Sequence, residues 1–407
     1  MRALRQKTLV CTFVDFKKAY DSIDRHSLFQ YLEERGLDPK TLEHVKQTMT
    51  ATKSKVKFMG EISEPFDIKT GVRQGDGLSP LLFNIVLDKV MDEWEKELKK
   101  CECWRPIQLG FSKNNLCIPY LAFADDLAIL AEDERTAVKQ LETLKECAEK
   151  GGLQISFEKT KFICSKIEIT SLKTKYGKIS RVPYFKYLGE FIEPTGQERI
   201  SQQIRLQKLK TALGLVQNLY NKKSMSRQTK IRHYNTVIKP AILYASETLT
   251  LIRKCELEEI KKEERKIIRK ILGARHTEDG YRLQSNKTTE KFSNIEIDFR
   301  KRRMKFFGHI TRLPEDRLTK KIIDYLTSLK NPTPWLNEIR KALKNADIRS
   351  TNIVERNFFR RKVDKWEVMP EQIKQKRCKP KWSEARRQAF SERMKAYWNN
   401  KKNPKKT

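Results

Sequence analysis

The sequence predicts an α+β front half followed by a helical, strongly basic back half. Three observations carry this expectation. Short β-branched and aromatic runs separated by turn signals recur up to about residue 193. From residue 200 onward apolar residues recur at three- and four-residue spacing, as in Leu206, Leu209, Leu213, Val216 and Tyr220. The charge is also divided. Residues 1–200 hold 33 basic and 30 acidic side chains, whereas 201–407 hold 53 and 22, so +31 of the net +34 lies in the back half. A near-neutral folding or catalytic unit ahead of a polyanion-binding one fits that division.

The elements follow in order. "TLVCTFV" at 8–14 reads as a buried strand and runs straight into helical spacing at "DFKKAYDSIDRHSLFQYLEERGL". "KVKFMGEISEPFDIKT" at 55–70 reads as a hairpin with Gly60 near its tip. After the polar loop "GVRQGDG", Ser79 is the expected N-cap and Pro80 the first helical residue of "LLFNIVLDKVMDEWEKEL". Residues 117–130 read as strand, turn and strand, with Asp125 and Asp126 at the turn. A helix is expected at about 134–150, ending at Gly151-Gly152, and short strands around 153–165 and 184–193.

The chain has 407 residues, enough for two or three domains. Eight cysteines include no CxxC pair and only five histidines accompany them. That argues against zinc modules and disulfide frameworks, and fits a reducing intracellular compartment. No 18-residue apolar run and no signal-peptide pattern is present.

"YLAFADDLAIL" at 120–130 sets two adjacent carboxylates inside an apolar run. Ionised groups are costly to remove from water unless something compensates them. Adjacent aspartates at a turn are often turn residues only. Here a third carboxylate, Asp15, ends the strand "CTFVD". Neighbouring strands lie about 4.8 Å apart, so two strand-end sites can share a divalent cation. Asp21 and Asp24 read as capping or structural residues, and Glu93, Glu95 and Glu97 as a solvated helix face.

"FVDFKKAYDSIDR", "GVRQGDGLSPLLFNIVLD", "LAFADDLAIL", "GLQISFEKTKF" and "YFKYLG" occur in this order. Over about residues 8–192 they resemble the successive palm motifs of reverse transcriptases of LINE-type (non-LTR) retrotransposons. "RRMKFFGHITRLPEDR" further resembles a segment that follows the polymerase domain in many insect-type relatives. The resemblance implies a right-hand polymerase palm, an antiparallel sheet with packed helices, at 1–195 with partial fingers. A helical thumb at 196–275 and a basic helical C-terminal region at 276–407 would follow, with a disordered tail at about 400–407. It implies an RNA-directed DNA polymerase that joins a dNTP to a primer 3′-OH with Mg²⁺ (or Mn²⁺). An RNA template and a DNA primer or target are the implied partners, and nucleus and cytoplasm the implied locations.

Residue by residue, the resemblance makes Asp15 and Asp125 metal ligands and Asp126 their assisting carboxylate. The Phe16 backbone would also face a metal. Tyr20 matches the aromatic gate below the sugar. Gln74 and Gly75 match the loop lining nucleotide and template. Lys159 or Lys161 matches a general acid for pyrophosphate departure. Tyr187, Leu188 and Gly189 match the primer-grip turn. Independently of the resemblance, Trp382 and Trp398 are interleaved with Arg and Lys, a pattern suited to stacking on unpaired bases. Two departures stand out. Gly77 replaces the proline common after "RQGD", and only 14 residues precede Asp15. The expectation is therefore a 5′-truncated copy lacking most of the fingers and any endonuclease. Its alternative reading is a catalytically inactive relic that binds nucleic acid. A different right-hand polymerase, one that makes RNA, is opposed by Tyr20 and the "YLG" turn.

Overall fold

The computed structural model describes residues 8–366 apart from 102–104, 110–115, 197–198, 223, 250–253 and 279. Its front half is built on a six-stranded sheet. In spatial order the strands are Ser171–Thr174, Gly177–Arg181, Lys161–Cys164, Val10–Val14, Asp126–Ala131 and Tyr120–Phe123. All pairs are antiparallel except Lys161–Cys164 with Gly177–Arg181. The fold is α+β, as the sequence predicts.

The central strand Val10–Val14 is apolar because both its faces are covered. Val10 and Val14 join the main core, and Phe13 joins a small cluster on the opposite face with Ala128, Ile163, Phe185 and Tyr187. Two helices cover the main-core side. Ser79–Lys100 buries Leu82, Phe83, Val86, Leu87, Val90, Met91, Trp94 and Leu98, one continuous helical stripe. Glu134–Lys150 buries Ala137, Leu141, Leu144 and Ala148. The Trp94 indole donates to the Gln140 carbonyl at 2.8 Å and ties the two helices together.

Two local expectations change. Ser79 does not cap its helix; Leu78 is the N-cap residue, and Asp76 accepts the Leu78 N–H at 3.1 Å. No side chain caps the first turn of this helix; Asp76 holds the N-cap residue itself. The strand expected across 153–165 is confined to Lys161–Cys164. Ahead of it, Ser156 accepts from the N–H groups of Lys159 and Thr160 and folds the chain into a turn. Gly152 has φ +80°, and a Cβ there would stand 2.5 Å from the Asp24 nitrogen. Only glycine lets the end of the helix approach the segment after Asp15 so closely.

Beyond the sheet come the hairpin Phe185–Tyr187 with Glu190–Ile192, and then helices. A second core runs from Leu209 to Phe299 and a third from Met304 to Trp366. The helix Ile295–Thr311 contributes to both. Buried Glu264 joins its start to the preceding long helix, accepting from the Tyr234 and Ser293 hydroxyls and the Ile295 N–H. A short hairpin, Arg275–Thr277 with Gly280–Arg282, lies between helices of the back half. The described cysteines are not joined in disulfides. Among the described residues no helix is long and apolar enough to cross a membrane.

Candidate active site

The aspartates meet at one end of the three strands Val10–Val14, Asp126–Ala131 and Tyr120–Phe123. Phe123 pairs with Asp126, so Ala124 and Asp125 form a two-residue turn. Ala124 takes φ 52°, a left-handed value that a non-glycine side chain adopts at some cost. Val14 pairs with Leu127. One further step in that antiparallel register brings Asp15 abreast of Asp126, where opposed Cα atoms are typically about 4.5–5.5 Å apart. Alternation along the strands turns both toward the face that carries Phe13 and Ala128.

The chain beyond Asp15 is fastened by the 154–160 turn. The Asp15 N–H donates to the Thr160 hydroxyl at 3.2 Å, and the Asp15 carbonyl accepts from Ser156 N–H at 2.8 Å. Lys17 N–H donates to the Gln154 carbonyl at 2.7 Å. Thr160 is fully buried. It is a positioning residue that the sequence reading passed over, although it lies within the quoted "FEKTKF".

Solvent reaches the Asp126 side chain, yet its carboxyl titrates above the ordinary range. Partial desolvation is the largest cause, followed by the negative charges of Asp125 and Asp15. None of the three carboxylates has an ion-pair partner among the described residues. The donor chemistry, oxygen only and mutually repulsive, suits a hard divalent cation. As positioned, no three acidic, histidine or cysteine side chains among the described residues gather closely enough to hold an ion by themselves.

Tyr20 lies in the short helix Ala19–Ser22 and stacks on Phe83, centroids 4.9 Å apart. Its phenol is pushed above its ordinary value by burial and then by the charge of Asp125, so the ring stands within the field of the aspartate turn. The Tyr20 carbonyl accepts from Val72 N–H at 2.8 Å, which hangs the 71–77 loop beside it. In that loop Gln74 is exposed and reaches Asp21 at 3.5 Å, and Gly75 has open space where a Cβ would stand. Arg25 fixes the base of the loop, donating to the carbonyls of Met49, Ile68 and Gly71 and to the Thr52 hydroxyl. Phe16 is buried in the core, so only its backbone is available to the site.

Lys161 donates to the Glu158 carbonyl at 2.7 Å. Lys159 is exposed and lies in the Ser156–Thr160 turn, just ahead of the strand Lys161–Cys164. Tyr187 closes the strand Phe185–Tyr187, and its hydroxyl lies 3.3 Å from the Asp126 carbonyl and 3.4 Å from that of Leu121. Leu188 and Gly189 form the turn that follows, with φ 49° and 81°. Phe123, beside the aspartate turn, is 66% exposed, a large apolar surface the sequence reading left unassigned. Asp24 caps the helix Arg25–Glu34, and Glu95 and Glu97 pair with Lys99 and Lys100, as structural charges do. Trp382 and Trp398 lie outside the described residues.

Residues 1–191 match the family model described as reverse transcriptase (RNA-dependent DNA polymerase). Among curated proteins, the chain is 29% identical over 197 residues to a Pol polyprotein of the type-1 retrotransposable element R2 from Popillia japonica, covering 48% of this chain and 30% of that one. It is 24% identical over 278 residues to the RNA-directed DNA polymerase from mobile element jockey of Drosophila funebris, covering 64% and 28%. The chain thus spans under a third of the length of these relatives. Among solved structures, telomerase from Candida albicans aligns over 90% of this chain and 52% of that one, at 14% identity and a TM-score of 0.39. Residues 1–191 are thus similar to the reverse transcriptase domains of non-LTR retrotransposon Pol proteins.

Proposed function

We propose that the chain is an RNA-directed DNA polymerase of a LINE-type element. It would transfer a nucleotide from a dNTP to a DNA primer 3′-OH on an RNA template. The observation that carries this reading is the meeting of three unpaired carboxylates, drawn from sequence positions 110 residues apart, at the end of one sheet. Asp15, Asp125 and Asp126, with the Phe16 backbone, would hold Mg²⁺ (or Mn²⁺), which when bound activates the attacking hydroxyl and stabilises the leaving oxygen.

The chain's own residues do the rest. Tyr20 closes the space below the sugar and disfavours a 2′-hydroxyl. Gln74 and Gly75 present an open, unobstructed loop to the nucleotide and template. The primer oxygen bonds to the α-phosphorus as the bond to pyrophosphate breaks, and a lysine protonates the departing group. Lys159 suits that step better than Lys161, whose ammonium is already engaged by the Glu158 carbonyl. Tyr187, Leu188 and Gly189 would seat the primer end. The basic back half would hold the duplex by releasing its counterions.

A second reading, a non-catalytic nucleic-acid binder, is favoured by the lack of a closed three-ligand group among the described residues. The experiment is extension of a labelled DNA primer on RNA by the 407-residue chain with Mg²⁺ or Mn²⁺. Incorporation of dNTPs over NTPs supports the polymerase. Tight duplex binding with no extension under either metal selects the second reading.

A further inference from the structure

The turn assigned to the primer is held from outside the sheet. The Tyr244 hydroxyl donates to the Leu188 carbonyl at 2.8 Å. Its ring lies so close to Gly189 that a Cβ there would stand 3.0 Å from it. Next to the turn, Glu190 accepts from the nearly buried Arg205 guanidinium with both oxygens, at 2.7 and 2.8 Å. The same guanidinium also donates to the Ile242 carbonyl. The segment 242–244 and the helix Arg199–Asn221 therefore grip one turn together.

The same segment is held on its other side by the C-terminal helices. Arg302 donates to the Leu243 carbonyl at 3.1 Å and pairs with Glu247 at 3.8 Å. The Trp335 indole donates to the Glu247 carbonyl at 2.8 Å. At the far end of the path, Tyr187 rests its hydroxyl on the backbone of Asp126. Contacts thus run without a break from Trp335 and Arg302, through residues 242–247, to the Leu188–Gly189 turn and the aspartates.

We propose that Tyr244 is a positioning residue through which the C-terminal helices fix the Leu188–Gly189 turn, and with it the primer end, against the aspartate hairpin. This rests on the reverse transcriptase reading of the site. It gives the helices beyond residue 276 a mechanical part in the reaction, independent of their charge. Because Tyr244 leaves half its surface exposed, losing its hydroxyl removes one hydrogen bond without emptying a core.

The test uses the full chain with a DNA primer carrying 2-aminopurine at its 3′ end on an RNA template. Loss of one neutral hydrogen bond is worth about fivefold in an equilibrium or rate. Tyr244→Phe should therefore release the seated primer end about fivefold, read as a rise in fluorescence. Duplex affinity should stay within about twofold, and single-turnover extension should slow by the same factor. Arg302→Gln, remote from the turn, should shift the fluorescence in the same direction. Unchanged fluorescence in Tyr244→Phe overturns the proposal even if melting is altered, because a packing role alone would not move the primer end. A parallel fall in duplex affinity also overturns it, by making Tyr244 a direct nucleic-acid ligand. Failure of the wild-type chain to bind the duplex removes the reverse transcriptase reading and the proposal together. Wild-type binding with an unresponsive Tyr244→Phe removes the proposal alone.

Discussion

Charge is used in opposite ways in the two halves of the molecule. In the back half a share of the cations is engaged by neighbouring carboxylates, and the excess is left over. Lys261 bridges Glu258 and Glu296, Arg265 meets Glu290, and Lys239 and Lys305 pair with Asp298 and Asp364. In the front half three carboxylates stand together with no ion-pair partner among the described residues. The front also carries almost no net charge, while the back carries +31. The comparison teaches that net charge and site chemistry are separate signals. A paired charge usually holds structure at little net gain. A group of like charges left unpaired is maintained against its own repulsion and marks a place for a counter-charge.

Four groups of changes test that contrast. Asp15→Asn and Asp125→Asn should each cut primer extension by about 10²–10³-fold or more, since each removes charge compensation at the transferring phosphoryl group. Circular dichroism should show an intact fold. Extension at the wild-type rate by either variant would mean the front carboxylates are only structural.

Tyr20→Ala should raise ribonucleotide use relative to deoxyribonucleotide use, by at most about 10²-fold, because a pocket wall rejects an added hydroxyl weakly. Competition between dNTP and NTP measures it. An unchanged ratio in an active variant assigns Tyr20 to its stacking on Phe83.

The back half should respond to number and not to position. Residues 367–407 hold 13 basic and 4 acidic side chains. Removing them spares the third core, whose last buried residue is Trp366. The log–log slope of nucleic-acid affinity against salt should flatten, by about 0.7–0.9 for each phosphate no longer neutralised. Replacing Trp382 and Trp398 with Ala in the full chain should leave that slope nearly unchanged while costing about 1–3 kcal/mol per base stack removed. A changed slope would contradict the division between stacking and charge.

The smallest effect is on stability. Asp126 titrates above the ordinary carboxylate range in the folded chain. Above that raised value the folded state carries a penalty from ionising Asp126 that the unfolded chain does not share. As pH falls toward the ordinary carboxylate range the penalty is relieved. Asp126→Asn should therefore melt about 1–2 °C higher than wild type at neutral pH without divalent cations, a difference that shrinks with acid. A lower melting point for the variant at neutral pH would show that the repulsion is negligible.

The sequence made the front half legible because its signals are local. Alternation, turn residues and the ordered motifs gave the strand before Asp15, the aspartate turn and the helix Glu134–Lys150 at nearly their true positions. It did not give what depends on distant partners. That Thr160 fastens Asp15 follows from strand pairing across 145 residues. That Tyr244 reaches Leu188 follows from how the helices dock. The cap expected of Ser79 is absent because the helix begins one residue earlier than the Ser-Pro signal implies, with Leu78 as N-cap residue and Ser79 already inside the first turn. The hairpin at 275–282 was missed because its strands are three residues each and show no clear alternation.

Carboxylates separated by 110 residues in the sequence should make one cation site. Binding of Mn²⁺ to the full chain, followed by electron paramagnetic resonance, tests it without requiring turnover. Saturable binding by the wild type is expected, weakened about tenfold or more in both Asp15→Asn and Asp125→Asn. Equal Mn²⁺ affinity in wild type and both variants would contradict it.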